Sequence, residues 1–246
     1  MNIIDIPVKT PKTLHKFLPS SHLLITAPTA SGKTILMLNM ITRKVFPYYR
    51  YYDKIYIFSP TLGLDNSWSI LEEDDKYILN EELDEEIIYE ILEEQRKNIL
   101  TKGKNKTKHR LIIIDDLGGD MKNINYKFLV PLIMKLRHSN IHIWITTQSY
   151  RAIPRGMRLN FLYHIIFRVS PQELDIISKE INGVIDEEIF RKIFNNAITE
   201  RPYNFLYIDI RKQSYYSGFK FKYNIKNSTD LVKNLIKNKV FSNKKN

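Results

Sequence analysis

The chain contains no cysteine, which excludes a disulfide framework and a thiolate metal site. Histidine is sparse, with six residues and no HExxH motif, so a metal-first mechanism is not expected. The longest apolar runs are roughly eight residues, far short of the ~20 that a membrane-spanning helix needs. The N-terminal stretch MNIIDIPVKTPK has no basic region followed by an apolar core, so no secretory signal is expected. Glycine is scarce, at 8 of 246 residues, beside abundant Ile, Asn, Lys and Tyr; such a bias goes with an AT-rich genome and carries little functional weight. These absences point to a reducing, cytosol-like compartment.

What is present is enough for one substantial core. Hydrophobic residues make up 43% and aromatics 12% of the 246-residue chain, a size and composition that suit a single folded unit with a small appendage. The formal net charge is +11, but it is unevenly spread. Residues 72–94 hold twelve acids against Lys76 alone, residues 96–110 hold seven bases and no acid, and residues 201–246 hold eleven bases against Asp209 and Asp230. Basic segments beside an acidic one suit a polyanion approached from one side. They equally suit a solvated surface with a basic tail, and charge alone leaves both readings open.

Hydrophobic periodicity predicts alternating strands and helices. Strands are expected at 22–26 (HLLIT), 54–61 (KIYIFSPT), 110–115 (RLIIID), 141–148 (IHIWITTQ) and 161–169 (FLYHIIFRV). Helices are expected from Gly32 through Met40, over 81–100 with Leu83, Ile87, Ile88, Ile91 and Leu92 as the apolar stripe, and over 128–138, where Pro131 is tolerable only in a first turn. Two more helices follow in SPQELDIISKEI and DEEIFRKIFNNAI, the first opened by a serine cap and a proline. YNFLYIDI and GFKFKYNI read as a late hairpin before a Lys/Asn tail. The pattern predicts an α/β fold built on a mainly parallel sheet, with residues 1–200 as its core and 201–246 as a hairpin, helix and basic tail of the same domain.

Three segments carry chemistry. The first, LLITAPTASGKTILML (23–38), places Ser31, Gly32, Lys33 and Thr34 between a strand and a helix start. In that setting successive backbone N–H groups, aided by the positive helix end, can wrap phosphates over Thr29, Ala30, Ser31, Gly32, Lys33, Thr34 and Ile35. Lys33 brings a compact charge to the terminal phosphates and Thr34 a hydroxyl for Mg²⁺. Ala27 relaxes the first glycine of the usual pattern harmlessly. Ala30 is harder to place, because a positive φ there would cost an alanine about 1 kcal/mol. The second segment, RLIIIDDLGGD, delivers Asp115 and Asp116 at the end of a buried strand, where parallel sheets bind ligands. Asp115 is the expected Mg²⁺ partner, and Asp116 is expected to orient or deprotonate the attacking water; an ordinary turn or a cap for the next helix is the alternative reading of the pair. Third, the strand IHIWITTQ ends in Gln148, whose amide can both donate and accept at a γ-phosphate or its water.

Together, ITAPTASGKT, LIIIDDLGGD and LRHSNIHIWITTQSYRAIPRGMRLN resemble the core of FtsK/HerA-type viral genome-packaging ATPases, those of poxviruses, giant viruses and virophages. The short length is most like the virophage members. The resemblance covers about residues 20–170 and departs at Ala27, Ala30 and Asp116, where many relatives in the wider superfamily carry Glu. It implies a P-loop ATPase using ATP and Mg²⁺, a homo-oligomeric ring of five or six subunits, and double-stranded DNA as cargo. It further implies capsid or portal-vertex proteins as partners, no membrane, and work in the host cytoplasm at the assembly site. It implies that Arg137, at the end of the helix before the Gln148 strand, acts in trans on the neighbouring subunit's ATP. Arg158 is the second candidate, then Arg151 and Arg155. For DNA, Lys104, Lys106 and Lys108 in TKGKNKTKH and Lys122 in GGDMKNINYK are the expected phosphate contacts. A helicase or helicase loader shares this chemistry; a nucleotide kinase and a virion nucleotide-binding protein without turnover are the more distant alternatives.

Overall fold

A computed structural model describes residues 22–63, 67–117, 125–181 and 185–223, with Arg137 described by its backbone alone. Lys122, the N-terminal segment and the basic tail lie outside the described residues. The elements are β1 (Leu23–Thr26), α1 (Lys33–Thr42), β2 (Tyr52–Phe58), β3 (Tyr77–Asn80), α2 (Glu85–Lys102), β4 (His109–Ile114), α3 (Tyr126–Leu136) and β5 (Ile141–Thr147). After these come α4 (Arg155–Arg158), β6 (Tyr163–Ile166), α5 (Pro171–Ile181), α6 (Glu187–Thr199), β7 (Leu206–Asp209), β8 (Ser214–Ser217) and β9 (Phe221–Lys222).

Among the described residues, nine strands join one sheet in the order β3-β2-β4-β5-β1-β6-β7-β8-β9. From β3 to β6 every pairing is parallel, and β7 to β9 close the far side antiparallel. β1 lies between β5 and β6, so the loop leaving it opens among three parallel strand ends. The strands run apolar because both faces are covered. On one face Leu24, Ile112, Ile114, Ile143, Ile145 and Ile166 pack with α2, α3, α5 and α6. On the other, Leu23, Ile25, Ile55, Ile57, Leu111, Ile113, Trp144 and Ile165 pack with α1 and the aromatic segment around Tyr48 and Tyr52. Alternate residues of β1, β4 and β5 thus feed opposite cores, as period-two side-chain placement requires.

Helix ends follow local chemistry. Asp84 caps α2 by accepting from Glu86 N–H at 2.7 Å, and Gly103, at φ 80, closes it. Asp186 caps α6 in the same way, through Glu188 N–H at 2.7 Å. Differences from the sequence-based expectation are instructive. α3 starts two residues early, so Pro131 sits at its sixth position and not in the first turn. Pro131 lies on the exposed side, where water can reach the carbonyl left without a helical donor. β7 pairs with Ser214–Ser217, not with GFKFKYNI; among the described residues of that segment, Phe221–Lys222 forms the strand. Ser, Gln and Gly around Tyr215 and Tyr216 make that four-residue strand read as a turn. β3 lies inside the acidic stretch, where charge masks a short parallel edge strand. β7 to β9 extend the common sheet, continuous with residues 22–199.

Candidate nucleotide site

The loop between β1 and α1 sits at the C-terminal ends of the parallel strands. Its entry is fixed by Ala27 N–H donating to the Thr147 carbonyl of β5 at 2.9 Å. Ser31 donates to the Pro28 carbonyl at 2.6 Å, folding the loop on itself. Ala30 has φ 58 and Gly32 φ 86, either side of Ser31. Backbone that alternates through left-handed residues turns successive N–H groups into one concavity, a nest for an anion. The helix that follows adds its positive end. Gly32 meets this need without strain; Ala30 does not, and its methyl costs roughly 1 kcal/mol.

Asp115 and Asp116 enter from the next strand but one. Asp115 N–H donates to the Phe58 carbonyl at 2.8 Å and Leu117 N–H to the Thr146 carbonyl at 2.8 Å, so β2 and β5 clamp the acidic pair. Asp115 is buried and accepts from Thr146 Oγ1 at 2.6 Å, Ser59 Oγ at 3.4 Å and Thr34 Oγ1 at 3.5 Å. Burial pushes its carboxyl above the usual carboxylate range, and the Thr146 bond and Lys33 charge pull the other way. Thr146 also accepts from Asp116 N–H at 2.8 Å, so one hydroxyl orients both acids. Asp116 adopts φ 61, which turns its side chain back toward the loop.

Gln148 links the three segments. Its Nε2 donates to Asp116 Oδ2 at 2.8 Å, and its Oε1 accepts from Thr29 Oγ1 at 3.0 Å. Lys33 Nζ stands 3.6 Å from Asp116 Oδ1, an oxygen that is buried and has no hydrogen-bond donor among the described residues. Lys33, Thr34, Asp115, Asp116 and Gln148 all line one cavity of about 690 Å³, with Thr29, Ala30, Gly32 and Ile35. The donor set fits a magnesium ion: Thr34 and Asp115 offer hard oxygens, and no cluster of three or more His, Cys, Asp or Glu side chains competes for a metal among the described residues.

The remaining predicted residues separate. Arg137 lies in the short 3₁₀ turn Arg137–Ser139 that ends α3, where Asn140 at φ 53 turns the chain into β5. Arg158, expected as the second candidate to act on a neighbouring subunit, is instead engaged within its own chain. It is buried, its guanidinium pairs with Glu180 of α5 at 2.9 and 2.5 Å, donates to the carbonyls of Tyr150 and Ile153, and lies 4.7 Å over the Tyr150 ring. A buried arginine that is bidentate to a carboxylate and bonded to two backbone carbonyls is a brace. Glu173, also on α5, accepts from Ser149 Oγ at 2.8 Å and Arg151 N–H at 3.2 Å. α5 therefore fixes the segment that follows Gln148 at two points. Lys104, Lys106 and Lys108 are exposed at the opposite end of the sheet from the phosphate loop, just before β4. Lys108 pairs with Asp53 at 3.0 Å, and Asn140 Nδ2 holds the loop through the Lys104 and Thr107 carbonyls at 2.8 and 3.1 Å.

Four residues that support the site escaped sequence reasoning: Thr146, Ser59, Glu173 and Glu180. Thr146 had a signal, the polar run TTQ closing an apolar strand; the others had none, because contact across the fold defines them.

Fold and site define a P-loop NTPase: a mainly parallel sheet, a phosphate loop on its central strand, and an acidic pair and a polar sensor on the flanking strand ends. The chain belongs to the poxvirus A32 protein family, whose sequence profile matches residues 17–233. Among solved structures, the fold is similar to B204, the DNA-packaging ATPase of Sulfolobus Turreted Icosahedral Virus, at 16% identity and TM-score 0.57, covering 81% of this chain and 97% of that one. The genome-packaging NTPase B204 of Sulfolobus turreted icosahedral virus 2 in complex with ATP-gammaS matches at 18% identity and TM-score 0.57, with coverage of 81% and 97%. EssC (ATPases 2 and 3) from Geobacillus thermodenitrificans matches at 12% identity and TM-score 0.53, covering 86% of this chain and 40% of that one. No curated protein matches the sequence.

Proposed function

We propose that the chain is an ATP-hydrolysing motor that drives double-stranded viral DNA into a capsid. The observation that carries this reading is the convergence of Lys33, Thr34, Asp115, Asp116 and Gln148 on one cavity. Membership of the poxvirus A32 family and a fold shared with DNA-packaging ATPases support it. Mg²⁺, held by Thr34 and Asp115, would supply charge neutralisation at the β- and γ-phosphate oxygens.

The ion pair at 3.6 Å explains how the site can rest between turnovers. Lys33 neutralises Asp116 until a terminal phosphate offers a stronger partner. Lys33 then leaves Asp116, whose Oδ1 becomes free to accept a proton from water, while Gln148 keeps the other oxygen oriented. Thr29 ties Gln148 back to the phosphate loop, so loss of the γ-phosphate is felt at the strand tip. We assign the charge-neutralising arginine to Arg137 of the neighbouring subunit in a ring. DNA phosphates are assigned to Lys104, Lys106, Lys108 and Lys122, capsid or portal-vertex proteins are the docking partners, and the setting is the host cytoplasm during virion assembly.

The test is steady-state ATP hydrolysis by purified protein with and without duplex DNA, paired with triplex displacement to report translocation. Lys33→Ala and Asp116→Asn are each expected to lower kcat at least 100-fold while leaving the fold intact. Full activity in Lys33→Ala would falsify the assignment. Strand separation without triplex displacement would indicate a helicase instead.

A further inference from the structure

The cavity extends beyond the phosphate loop to a second end built from different chemistry. Ile35, the first residue past Thr34, is 54% exposed, and Tyr203 is 73% exposed, yet both line the cavity. Large apolar side chains left open to water beside a ligand cavity signal a face that a ligand covers. Beneath them Phe167 and Phe205 are buried, 5.3 Å apart between ring centroids, and form a rigid aromatic floor.

Tyr203 is held in place at a cost. It has φ 58, a conformation that disfavours any residue with a Cβ. Arg201 to Asn204 form a turn closed by Asn204 N–H donating to the Arg201 carbonyl at 3.3 Å. Pro202 takes the second position, and Tyr203 the third, where a positive φ calls for glycine or asparagine. Asn204 anchors the turn below by donating to the Ala197 carbonyl at 2.7 Å and Ser217 Oγ at 2.8 Å. The outcome is a ring leaning over the phosphate loop, its Cδ1 3.7 Å from where a Cβ on Gly32 would stand. A second cavity of about 650 Å³, which includes Arg168 and Arg201, is also lined by Tyr203, so the ring divides two open spaces. Strain that aims an aromatic face at an open site is kept for a purpose.

We propose that Tyr203 is the base platform of this site: the purine ring of the nucleoside triphosphate stacks on its face, with Ile35 as the adjoining apolar wall. The proposal rests on the nucleotide-binding reading above and adds to it the residue that selects the base. Stacking scales with ring area, so a purine gains more than a pyrimidine, and the contribution of one base–aromatic stack corresponds to roughly five- to 150-fold in affinity.

The test is binding by the full chain, in Mg²⁺ buffer, of ATP, CTP and inorganic tripolyphosphate, for the wild type, Tyr203→Ala, Tyr203→Phe and Lys33→Ala. Tyr203→Ala should weaken ATP roughly ten- to 100-fold, leave tripolyphosphate unchanged and collapse the preference for ATP over CTP. Tyr203→Phe should keep both affinity and preference, since the ring alone is required. Equal weakening of ATP and tripolyphosphate in Tyr203→Ala, or an unchanged ATP affinity, overturns the platform. Binding of ATP and tripolyphosphate that is indifferent to Lys33→Ala overturns the phosphate-loop reading instead, whatever Tyr203 does. Tyr203 is exposed, and matching melting curves will show that its variants fold.

Discussion

At the scale of single residues, the site is assembled from strained and doubly used groups. Ala30, Asp116 and Tyr203 all hold positive φ, and each faces the nucleotide cavity. Ala30 gives the simplest measure of what that strain costs. Ala30→Gly relieves the left-handed methyl and is expected to stabilise the fold by about 1 kcal/mol, read as a rise in the urea midpoint without a change in slope. The same variant should bind ATP at least as tightly as the wild type, because the nest is already the preferred backbone of glycine. A loss of stability would mean that the Ala30 methyl makes a packing contact outweighing its strain. Thr146 shows double use of another kind: its one hydroxyl steadies Asp115 and Asp116 together. The sequence made Lys33, Thr34, Asp115 and Gln148 legible because each ends or begins an element with a clear apolar pattern. It could not show Ala30's φ, since alanine is also an ordinary helix or turn residue.

At the scale of elements, the two arginines that the family resemblance singled out separate cleanly. Arg158 braces α4 and the segment after β5 to α5, with Glu180 nearly buried beneath it. Removing one partner of such a pair strands the other charge. Arg158→Ala is therefore expected to cost about 3 kcal/mol in unfolding free energy, and Arg158→Lys should recover little, lacking the bidentate fork. Arg137→Ala is expected to lower DNA-stimulated ATP hydrolysis at least 100-fold with a melting temperature within a degree or two of wild type. Chemical denaturation alongside the hydrolysis assay separates the two; a stability loss in Arg137→Ala as large as in Arg158→Ala would remove the reason to place it in trans. Spacing in PRGMR could not distinguish these roles, because the deciding partner, Glu180, is twenty-two residues away on another helix. Elements with long apolar stripes were legible within a few residues. Ser214–Ser217 was not, since four residues rich in serine and tyrosine carry no pattern that a turn lacks.

At the scale of the whole molecule, buried histidines set how the fold responds to acid. Burial lowers His142 to about 2, with His109 and His22 nearby adding to the shift, and lowers His164 to about 4. Both folded values lie below the unfolded value of about 6.5, so the unfolded chain binds more protons as the pH falls through that value. Stability is thus full above about pH 6.5 and declines below it, by roughly 2 kcal/mol per histidine at pH 5. Urea titrations at pH 8, 6 and 5 should show the midpoint falling in step; a flat profile would mean that these rings are protonated in the folded state. Asp115 acts with the opposite sign, since its raised value makes folding less favourable as the pH climbs through the carboxylate range.

The brace on α5 has a reach beyond its own segment. α5 is tied to α6 by Arg191 bonded to Asp175 and by Ser178 Oγ donating to Glu187 at 3.1 Å. α6 runs directly into the turn that presents Tyr203. The chain of supports therefore runs from Gln148 through Glu173 and Glu180, across two helices, and back to the far end of the same cavity. Thr29 and the phosphate loop join those ends over the shorter path. A nucleotide bound as proposed would sit in a closed frame, and the two places where its length would be gauged, triphosphate tip and ring, share one foundation.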